Sequence, residues 1–340
     1  MVTDRWNNYL EYFPERAKDI YFTEEYVRLY ANDRDTPECF IYKKGGDILL
    51  FPYLKRRIEL LREEYFDLET PYGYGGPIAN TGDPSFISEA FGHFCSLAKE
   101  NRIIAGFIRL HPLLGNHISV RDKSHVVFDR KTVAIDLDIE ERRIWEEQIH
   151  SKHRNSIRKA QGAGLIFNAD EGLQYLDDFV KIYRLTVDRL KTDRFYYFDE
   201  KYFDRIRAMG QNVFLGLVFL KKSIISGALF FKYGIFGHFH LAGSLKSYQR
   251  YNPNNFLIYN TALYMKRNGV KRFHLGGGTD SSEQNTLYKF KKRFSKNEHS
   301  FYFSKLILDE KRYAVLSDVW ESKFPEKKKK YSNLVLKHRY

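Results

Sequence analysis

The chain has 340 residues, of which 43% are hydrophobic and 29% are charged, as is ordinary for a folded protein with a sizeable core. Its formal net charge of +13 indicates an anionic partner, such as nucleic acid, a nucleotide or a membrane surface, or else a basic surface without a dedicated partner. Only two cysteines, Cys39 and Cys95, are present, which excludes a disulfide framework and a cysteine-based metal cluster.

The N-terminal segment lacks the apolar core of a signal peptide. The longest apolar runs, VFLGLVFL and IISGALFF, are too short to span a bilayer. We therefore expect a cytoplasmic protein, with peripheral contact to the inner membrane face left open.

The N-terminal half contains patterns typical of a mixed sheet with helices. A helix is predicted over 23–32, and a hairpin turns at Gly45-Gly46 between PECFIYKK and GDILLFPYLKR. The remaining predicted elements are the strand YFDLET, a helix over 84–100, the strand RIIAGFIRL and the strand KTVAIDL at 131–137.

A long helix is predicted over 139–162, between the two halves. It carries SKHRNSIRKA without a single acidic residue, and Arg154 and Arg158 lie one helical turn apart on one face. Either an acidic group from elsewhere in the fold neutralises them, or the two guanidinium groups form a phosphate clamp.

The C-terminal half repeats the element order of the first. The predicted elements are, in order, a strand at 164–168, helices at 171–191 and 199–209, three strands between 212 and 243, a helix at 253–269, a strand at 270–275, a helix at 284–294 and a strand at 299–308. Antiparallel strands followed by a strand–helix–strand crossover predict an α+β fold with a mixed, mostly antiparallel sheet. The predicted division is 1–138, 139–163, 164–310 and 311–340.

Three consecutive glycines, Gly276, Gly277 and Gly278, follow a predicted strand. They lack the ending of a nucleotide-binding P-loop and the spacing of a dinucleotide fingerprint. Glycines here allow either close approach of a phosphate-bearing ligand or a tight turn. Asp280, just beyond, either accepts a proton or caps a helix.

Two further motifs contain candidate site residues. His240 alternates with His238 along a strand; because no third ligand accompanies the pair, we expect no metal site, and His240 is a candidate proton acceptor. In TPYGYGGP (70–77), Tyr72 and Tyr74 either contact an acceptor molecule or pack internally.

Three motifs, taken in their order along the chain, resemble the Fem family of aminoacyltransferases. They are TPYGYGGP, SKHRNSIRKA, and FHLGGG followed by LYKFKKRF. Fem proteins place two domains of GNAT (Gcn5-related N-acetyltransferase) fold in tandem. The resemblance implies transfer of an aminoacyl or acyl group to an amine of a cell-envelope precursor, such as a muropeptide, or of an activated sugar. Two alternatives stay open: a CoA-dependent N-acetyltransferase of a nucleotide-sugar amine, and a nucleic-acid-binding module without catalytic activity.

The resemblance also implies roles for residues. FKKRF matches the F-K-x-x-F pattern, which places Lys291 at the active site, where it stabilises developing negative charge. Thr186 and Arg189 belong to a helix pattern that recurs in Fem-like proteins and are expected to reach the site. The fourth and fifth strands, IFGHFHLAG and VKRFHL, are expected to splay apart and admit the donor.

The expected donor is aminoacyl-tRNA or acyl-CoA, with no tightly bound cofactor. Gln249 and Arg250 fit the start of the Q/R-x-x-G-x-G/A loop that binds CoA pyrophosphate, but Pro253 and asparagines replace its glycines. That departure favours aminoacyl-tRNA. The basic segment 311–340 is interpreted either as a surface for tRNA or anionic lipid or as a disordered tail, and the Fem resemblance implies that it returns to the first domain.

Overall fold

The computed structural model describes every residue from Met1 to Tyr340. Its strands are β1 (Val2–Thr3), β2 (Asp35–Lys44), β3 (Asp47–Arg57), β4 (Phe66–Glu69), β5 (Ile78–Ala79), β6 (Ile103–Arg109), β7 (His125–Asp136), β8 (Leu165–Asp170), β9 (Val213–Leu220), β10 (Ser223–Tyr233), β11 (Phe236–Ser244), β12 (Arg272–Gly277) and β13 (Glu298–Ile307). Its helices are α1 (Glu24–Leu29), α2 (Pro84–Glu100), α3 (Glu141–Arg143), α4 (Ser151–Gly162), α5 (Leu176–Leu190), α6 (Glu200–Ala208), α7 (Pro253–Arg267), α8 (Thr286–Lys292), α9 (Glu310–Lys323) and α10 (Lys328–Tyr331). No helix is both long enough and apolar enough to span a membrane.

The chain forms two compact units, one of Met1–Asp129 with Ser300–Tyr340 and one of Arg130–His299. In the first, β1 to β4 pair antiparallel in sequence order, and the crossover through α2 makes β6 parallel to β4. Strand β13 closes this sheet antiparallel to β6. The sheet packs on α2 through a core rich in phenylalanine that includes Phe51, Phe91 and Phe94.

The second unit has the same element order. Strands β8 to β11 form an antiparallel meander, and the crossover through α7 makes β12 parallel to β11. Strand β7 closes this sheet antiparallel to β12. The expected α+β fold with a mixed sheet is confirmed.

The last strand of each sheet comes from a part of the chain that is not continuous with the sheet's other strands. The strand at 131–137 was expected to end the first half, but in the structure it pairs with β12. The strand at 299–308 was expected to end the second half, but it pairs with β6. The predicted division of the chain does not contain this exchange, because element order along a chain does not specify which sheet a terminal strand joins.

The predicted continuous helix over 139–162 is wrong. The segment contains the short α3, a π-helical turn at Ile144–Gln148 and α4, with extended backbone at Ile149. Ile149 is fully buried, and the ring of His150 caps α4 by accepting a hydrogen bond from the Lys152 amide. Burial of one side chain and a new cap therefore interrupt a sequence with helical periodicity.

Residues 311–340 are ordered, so the alternative of a disordered tail is wrong. Leu316, Val335 and Leu336 pack with Ile58 and Ile104 in one core cluster of the first unit. Two side chains near the C-terminus also contact a buried carboxylate: His338 and Arg339 lie 2.5 and 2.7 Å from Asp67. Apolar burial and ion pairing together fix this basic segment to its unit.

Candidate active site

A gap opens in the sheet of the second unit between β11 and β12. The two strands pair over only three positions, Phe236–His238 with Arg272–His274. Beyond them β12 follows β7, while β11 continues to Ser244 without further pairing to β12. The two strands therefore splay as expected, and the backbone groups along the gap are not used in pairing between β11 and β12.

Lys291 reaches this gap from α8. Its side chain is buried, with the residue 7% exposed, and Nζ donates a 2.8 Å hydrogen bond to the Gly277 carbonyl at the end of β12. Nζ also lies 5.8 Å from the centre of the Phe239 ring on β11. The ammonium is thus held between a residue of one splayed strand and a residue of the other.

The surroundings of Lys291 change its titration. Burial, and secondarily the nearby Arg130 guanidinium, lower the pKa of Lys291 from 10.5 to about 7. At neutral pH the amine is therefore partly deprotonated, and it can both donate and accept a proton. Arg130 itself donates a 2.8 Å hydrogen bond to the Gly278 carbonyl, beside the one that Lys291 uses. No motif marks Arg130 in the sequence.

Helix α8 is held in place by a buried histidine on α4. The His153 ring lies 5.0 and 4.5 Å from the rings of Phe290 and Phe294, and its Nε2 donates to the Phe290 carbonyl at 2.9 Å. At the other end of α8, the Asn285 side chain caps the helix by accepting from two backbone amides. The two aromatic residues of the F-K-x-x-F pattern thus anchor the helix that carries Lys291.

The region that forms this gap matches a known protein family. Residues 148–292, which include the splayed strands and Lys291, match the family model of the acetyltransferase (GNAT) domain. The structure of FemX superposes with a TM-score of 0.69 at 14% identity, covering 92% of this chain and 98% of that one. The chain has a Fem-like GNAT fold. The domain match supports the expected acyltransferase activity.

Two further structures share the Fem-like fold at lower similarity. L-PGS from Bacillus licheniformis has a TM-score of 0.58 at 13% identity, covering 88% of this chain and 91% of that one. A conserved protein of unknown function from Bacteroides thetaiotaomicron has a TM-score of 0.57 at 10% identity, covering 89% and 97%. No curated protein sequence matches this chain.

In this Fem-like protein the three glycines each have a structural reason. Gly276 has φ +76°, a conformation that disfavours side chains. A Cβ on Gly277 would lie 2.8 Å from the Lys131 carbonyl oxygen, and one on Gly278 would lie 2.6 Å from the Asn285 side chain. The triplet therefore shapes the end of β12 so that its carbonyls face Lys291 and Arg130, and close approach of a phosphate-bearing ligand stays a prediction.

Asp280 and His240 are poorly suited to the proton-accepting roles considered for them. The Asp280 carboxylate accepts hydrogen bonds from the Ser282 amide and the Asn285 side chain, which lower its pKa. His240 is the extra residue of a β-bulge in β11 and lies 2.5 Å from the Tyr202 hydroxyl. Burial, and then His238, lower the pKa of His240 to about 3, so its ring is neutral and weakly basic near pH 7.

The predicted phosphate clamp is occupied by other groups. Nη1 of Arg154 donates to the carbonyl oxygens of Trp145, Glu146 and Ile149 at 3.3, 3.0 and 2.8 Å. Trp145 and Glu146 belong to the π-helical turn, and Ile149 follows it directly. Arg158 lies over the Trp145 ring, 5.3 Å from its centre. This bonding gives Arg154 a structural role and argues against the clamp.

Gln249 and Arg250 lie in a 3₁₀ turn directly before α7. Asn252 follows in the left-handed region at φ +55°, Pro253 is the first helical residue, and no side chain caps the helix. Arg250 itself lies over the Tyr251 ring, 4.9 Å from its centre. Binding of the donor at this helix start stays a prediction.

Thr186 and Arg189 converge on one end of the gap, at the backbone of β11. The Thr186 hydroxyl and Nη1 of Arg189 lie 3.3 and 2.8 Å from the Ser244 carbonyl oxygen, and the Ser244 amide donates to the Thr186 hydroxyl. Helix α5 passes so close to β11 that a Cβ on Gly243 would lie 2.8 Å from the Tyr183 amide nitrogen. The two side chains therefore fix the end of β11 beside the gap; contact with an acceptor stays a prediction.

Tyr72 and Tyr74 lie in the first unit, where the structure favours packing. The Tyr72 carbonyl accepts from the Tyr26 hydroxyl, and the Tyr74 ring packs edge-on against Tyr21 and His111. His111 in turn lies 3.0 Å from Asp19, and both side chains are fully buried. No sequence signal marks this histidine–aspartate pair, because its members are distant in the chain.

Proposed function

We propose that the protein transfers an aminoacyl or acyl group to an amine of a cell-envelope precursor or activated sugar. The observation that carries the proposal is Lys291, buried in the gap between two splayed strands of a GNAT domain. A pure binding module requires neither the gap nor a desolvated amine within it. The geometry therefore supports catalysis over the nucleic-acid-binding alternative.

The residues of the gap match the needs of acyl transfer. A neutral amine attacks the donor carbonyl, a C–N bond forms, and the C–O or C–S bond to the carrier breaks. In this proposal the Lys291 ammonium hydrogen-bonds the developing oxyanion and gives a proton to the leaving oxygen or sulfur, and the neutral Lys291 amine then takes the proton that the incoming amine loses. A pKa of about 7 for Lys291 suits both proton release and proton recovery at neutral pH.

Aminoacyl-tRNA is the donor that we favour. The start of α7 has Pro253 and asparagines in place of the glycines of a CoA loop, and proline removes one amide donor. The net charge of +13 suits a polyanionic carrier. A further similar structure, with a TM-score of 0.56 at 14% identity, is the C-terminal domain of an Agrobacterium fabrum protein titled a putative lysylphosphatidylglycerol synthetase, and that title names an aminoacylated lipid. Acyl-CoA is the second candidate, because the N-terminus of α7 has no side-chain cap.

Two measurements test this proposal. Isothermal titration with acetyl-CoA and, separately, with charged tRNA identifies the donor; micromolar binding of acetyl-CoA would refute our preference for tRNA. Transfer of a radiolabelled acyl group from the bound donor to amine acceptors is then measured for Lys291→Ala, with Lys292→Ala on the exposed side of the same helix as the control. We expect loss of transfer in the first variant alone. Wild-type turnover in Lys291→Ala would remove Lys291 from the mechanism.

A further inference from the structure

A cleft of about 520 Å³ lies in the first unit beside the start of α2. Its walls come from residues 14–17, residues 77–82, the first two turns of α2 and residues 114–123. This volume is within the range of small-molecule sites, roughly 300–1,000 Å³. None of the residues to which we assign a part in acyl transfer lines the cleft, so its presence is not explained by the proposed reaction.

The inner surface of the cleft is apolar. Ile78 and Phe91 are buried side chains that contribute to its floor, and Ile87 and Leu114 are half-buried along its sides. Ile118 lines the same cleft and is 62% exposed. An apolar body placed here would remove this surface from water, which favours binding.

The polar part of the cleft is positively charged. Arg16, Arg121 and Lys123 line it, with Asp122 as the single carboxylate. Arg121 approaches Asp122 only at 3.9 Å, and neither Arg16 nor Lys123 has a carboxylate within ion-pair distance. Arg16 and Lys123, which have no carboxylate partner, lie beside apolar surface, and this arrangement favours a ligand that supplies the negative charge.

We propose that this cleft binds an organic anion, in which a phosphate or carboxylate group is attached to an apolar body. The anionic group contacts Arg16, Arg121 and Lys123, and the apolar body covers Phe91 and Ile118. The shared chemistry fits both a single-chain lipid and a soluble aromatic anion. The test of this site measures binding alone, so its outcome does not depend on acyl transfer at Lys291.

Titration calorimetry on the full chain tests the proposal with defined probes. Decyl phosphate and phenyl phosphate, kept below micellar concentration, are compared with inorganic phosphate and with uncharged decyl glucoside. We expect at least one organic phosphate to bind about tenfold or more tightly than either reference, a difference of about 1.4 kcal/mol. Tighter binding of decyl phosphate assigns a lipid-like body, and tighter binding of phenyl phosphate an aromatic one. Equal affinity for inorganic phosphate or for decyl glucoside overturns the proposal.

Two glycine variants locate the binding. Gly82 lines the cleft, and a Cβ on it meets no atom within 4 Å, so Gly82→Trp places a large side chain at the cleft without a clash at its Cβ. Gly92 on α2 has the same open surroundings but does not line the cleft, so Gly92→Trp is its matched control. We expect binding to be lost only in Gly82→Trp, with both melting temperatures near that of the wild type, and Arg16→Ala to weaken binding about tenfold. If Gly82→Trp binds the organic phosphates as tightly as the wild type, the site is refuted. If Gly82→Trp does not fold, undiminished affinity of Arg16→Ala for the organic phosphates refutes the site.

Discussion

Replacing Lys291 with methionine should change how the stability of the protein depends on pH, whatever its substrate is. Lys291 is buried, and its pKa is lowered from 10.5 to about 7. Each pKa unit corresponds to about 1.4 kcal/mol, so the charged ammonium costs the folded state roughly 4–5 kcal/mol relative to the neutral amine. This charge is also the source of the proton that the proposed reaction requires.

The direction in which stability changes with pH follows from proton binding. Between pH 7 and 10.5 the unfolded chain binds the Lys291 proton and the folded protein releases it, so the free energy of unfolding rises with pH. The penalty is fully present below pH 7 and disappears above pH 10.5. From pH 6 to pH 10 we expect Lys291 to add roughly 4 kcal/mol to the free energy of unfolding of the wild type, an increase that Lys291→Met lacks.

Urea unfolding of both proteins between pH 6 and 10 measures this difference. At pH 6 Lys291→Met avoids the cost of roughly 4–5 kcal/mol that the buried ammonium imposes on the wild type. It also loses the charged hydrogen bond to Gly277, which is worth about 1.5–3 kcal/mol. We therefore expect the variant to be more stable than the wild type by about 2 kcal/mol. Lys292→Met, which removes only an exposed pair with Glu298, is the control and should keep the wild-type slope. Parallel curves for wild type and Lys291→Met would refute the burial argument.

Three further changes have defined outcomes. Gly277→Ala places a Cβ 2.8 Å from a carbonyl oxygen of β7 and should lower the free energy of unfolding by about 1–3 kcal/mol in urea titrations. Gly46→Ala, whose Cβ lies in open space, is the control and should leave the free energy of unfolding nearly unchanged. Equal effects of the two substitutions would refute the close approach. Arg339→Ala removes one of the partners that, against the opposing effect of burial, lower the pKa of the fully buried Asp67 to about 2. Because Arg56 and His338 still contact this carboxylate, we expect a cost of about 2 kcal/mol near pH 7, and a smaller one as the pH falls through about 2, where the carboxylate is protonated. A melting-temperature difference that does not depend on pH would contradict this. Arg154→Ala should lower the melting temperature but leave donor affinity unchanged in the titration described above; loss of donor affinity in the folded variant would restore the phosphate clamp.

The elements of the fold could be predicted well from local pattern. Helix α2 has the predicted bounds, and α7 begins at the predicted Pro253, because proline and the N-cap aspartate mark helix starts directly in the sequence. The splay of β11 from β12 was predicted only through the family resemblance. The continuous helix over 139–162 was wrong because burial of Ile149 is a tertiary effect that outweighs helical periodicity.

The candidate site was predictable only in part. Lys291 could be predicted as a site residue because its flanking phenylalanines form a recognisable motif, and the structure places it beside the gap. Arg130 and His153 were missed, since they reach α8 and β12 from distant segments and stand in no pattern. Arg154 was interpreted as an anion ligand because its real partners are backbone carbonyls, which are invisible in a sequence.

The sequence by itself determined the order of strands and helices, the α+β class and the excess of positive charge, because each depends on residues close together in the chain. Only the tertiary structure decided that β7 and β13 close sheets built from other segments and that the basic C-terminus folds against Asp67. It also decided that Lys291 is buried enough for its pKa to fall to about 7. Strand exchange pairs residues more than a hundred positions apart, and Lys291 is enclosed in part by Phe239 and Arg130, which are also distant in the chain. Local periodicity carries no information about such contacts.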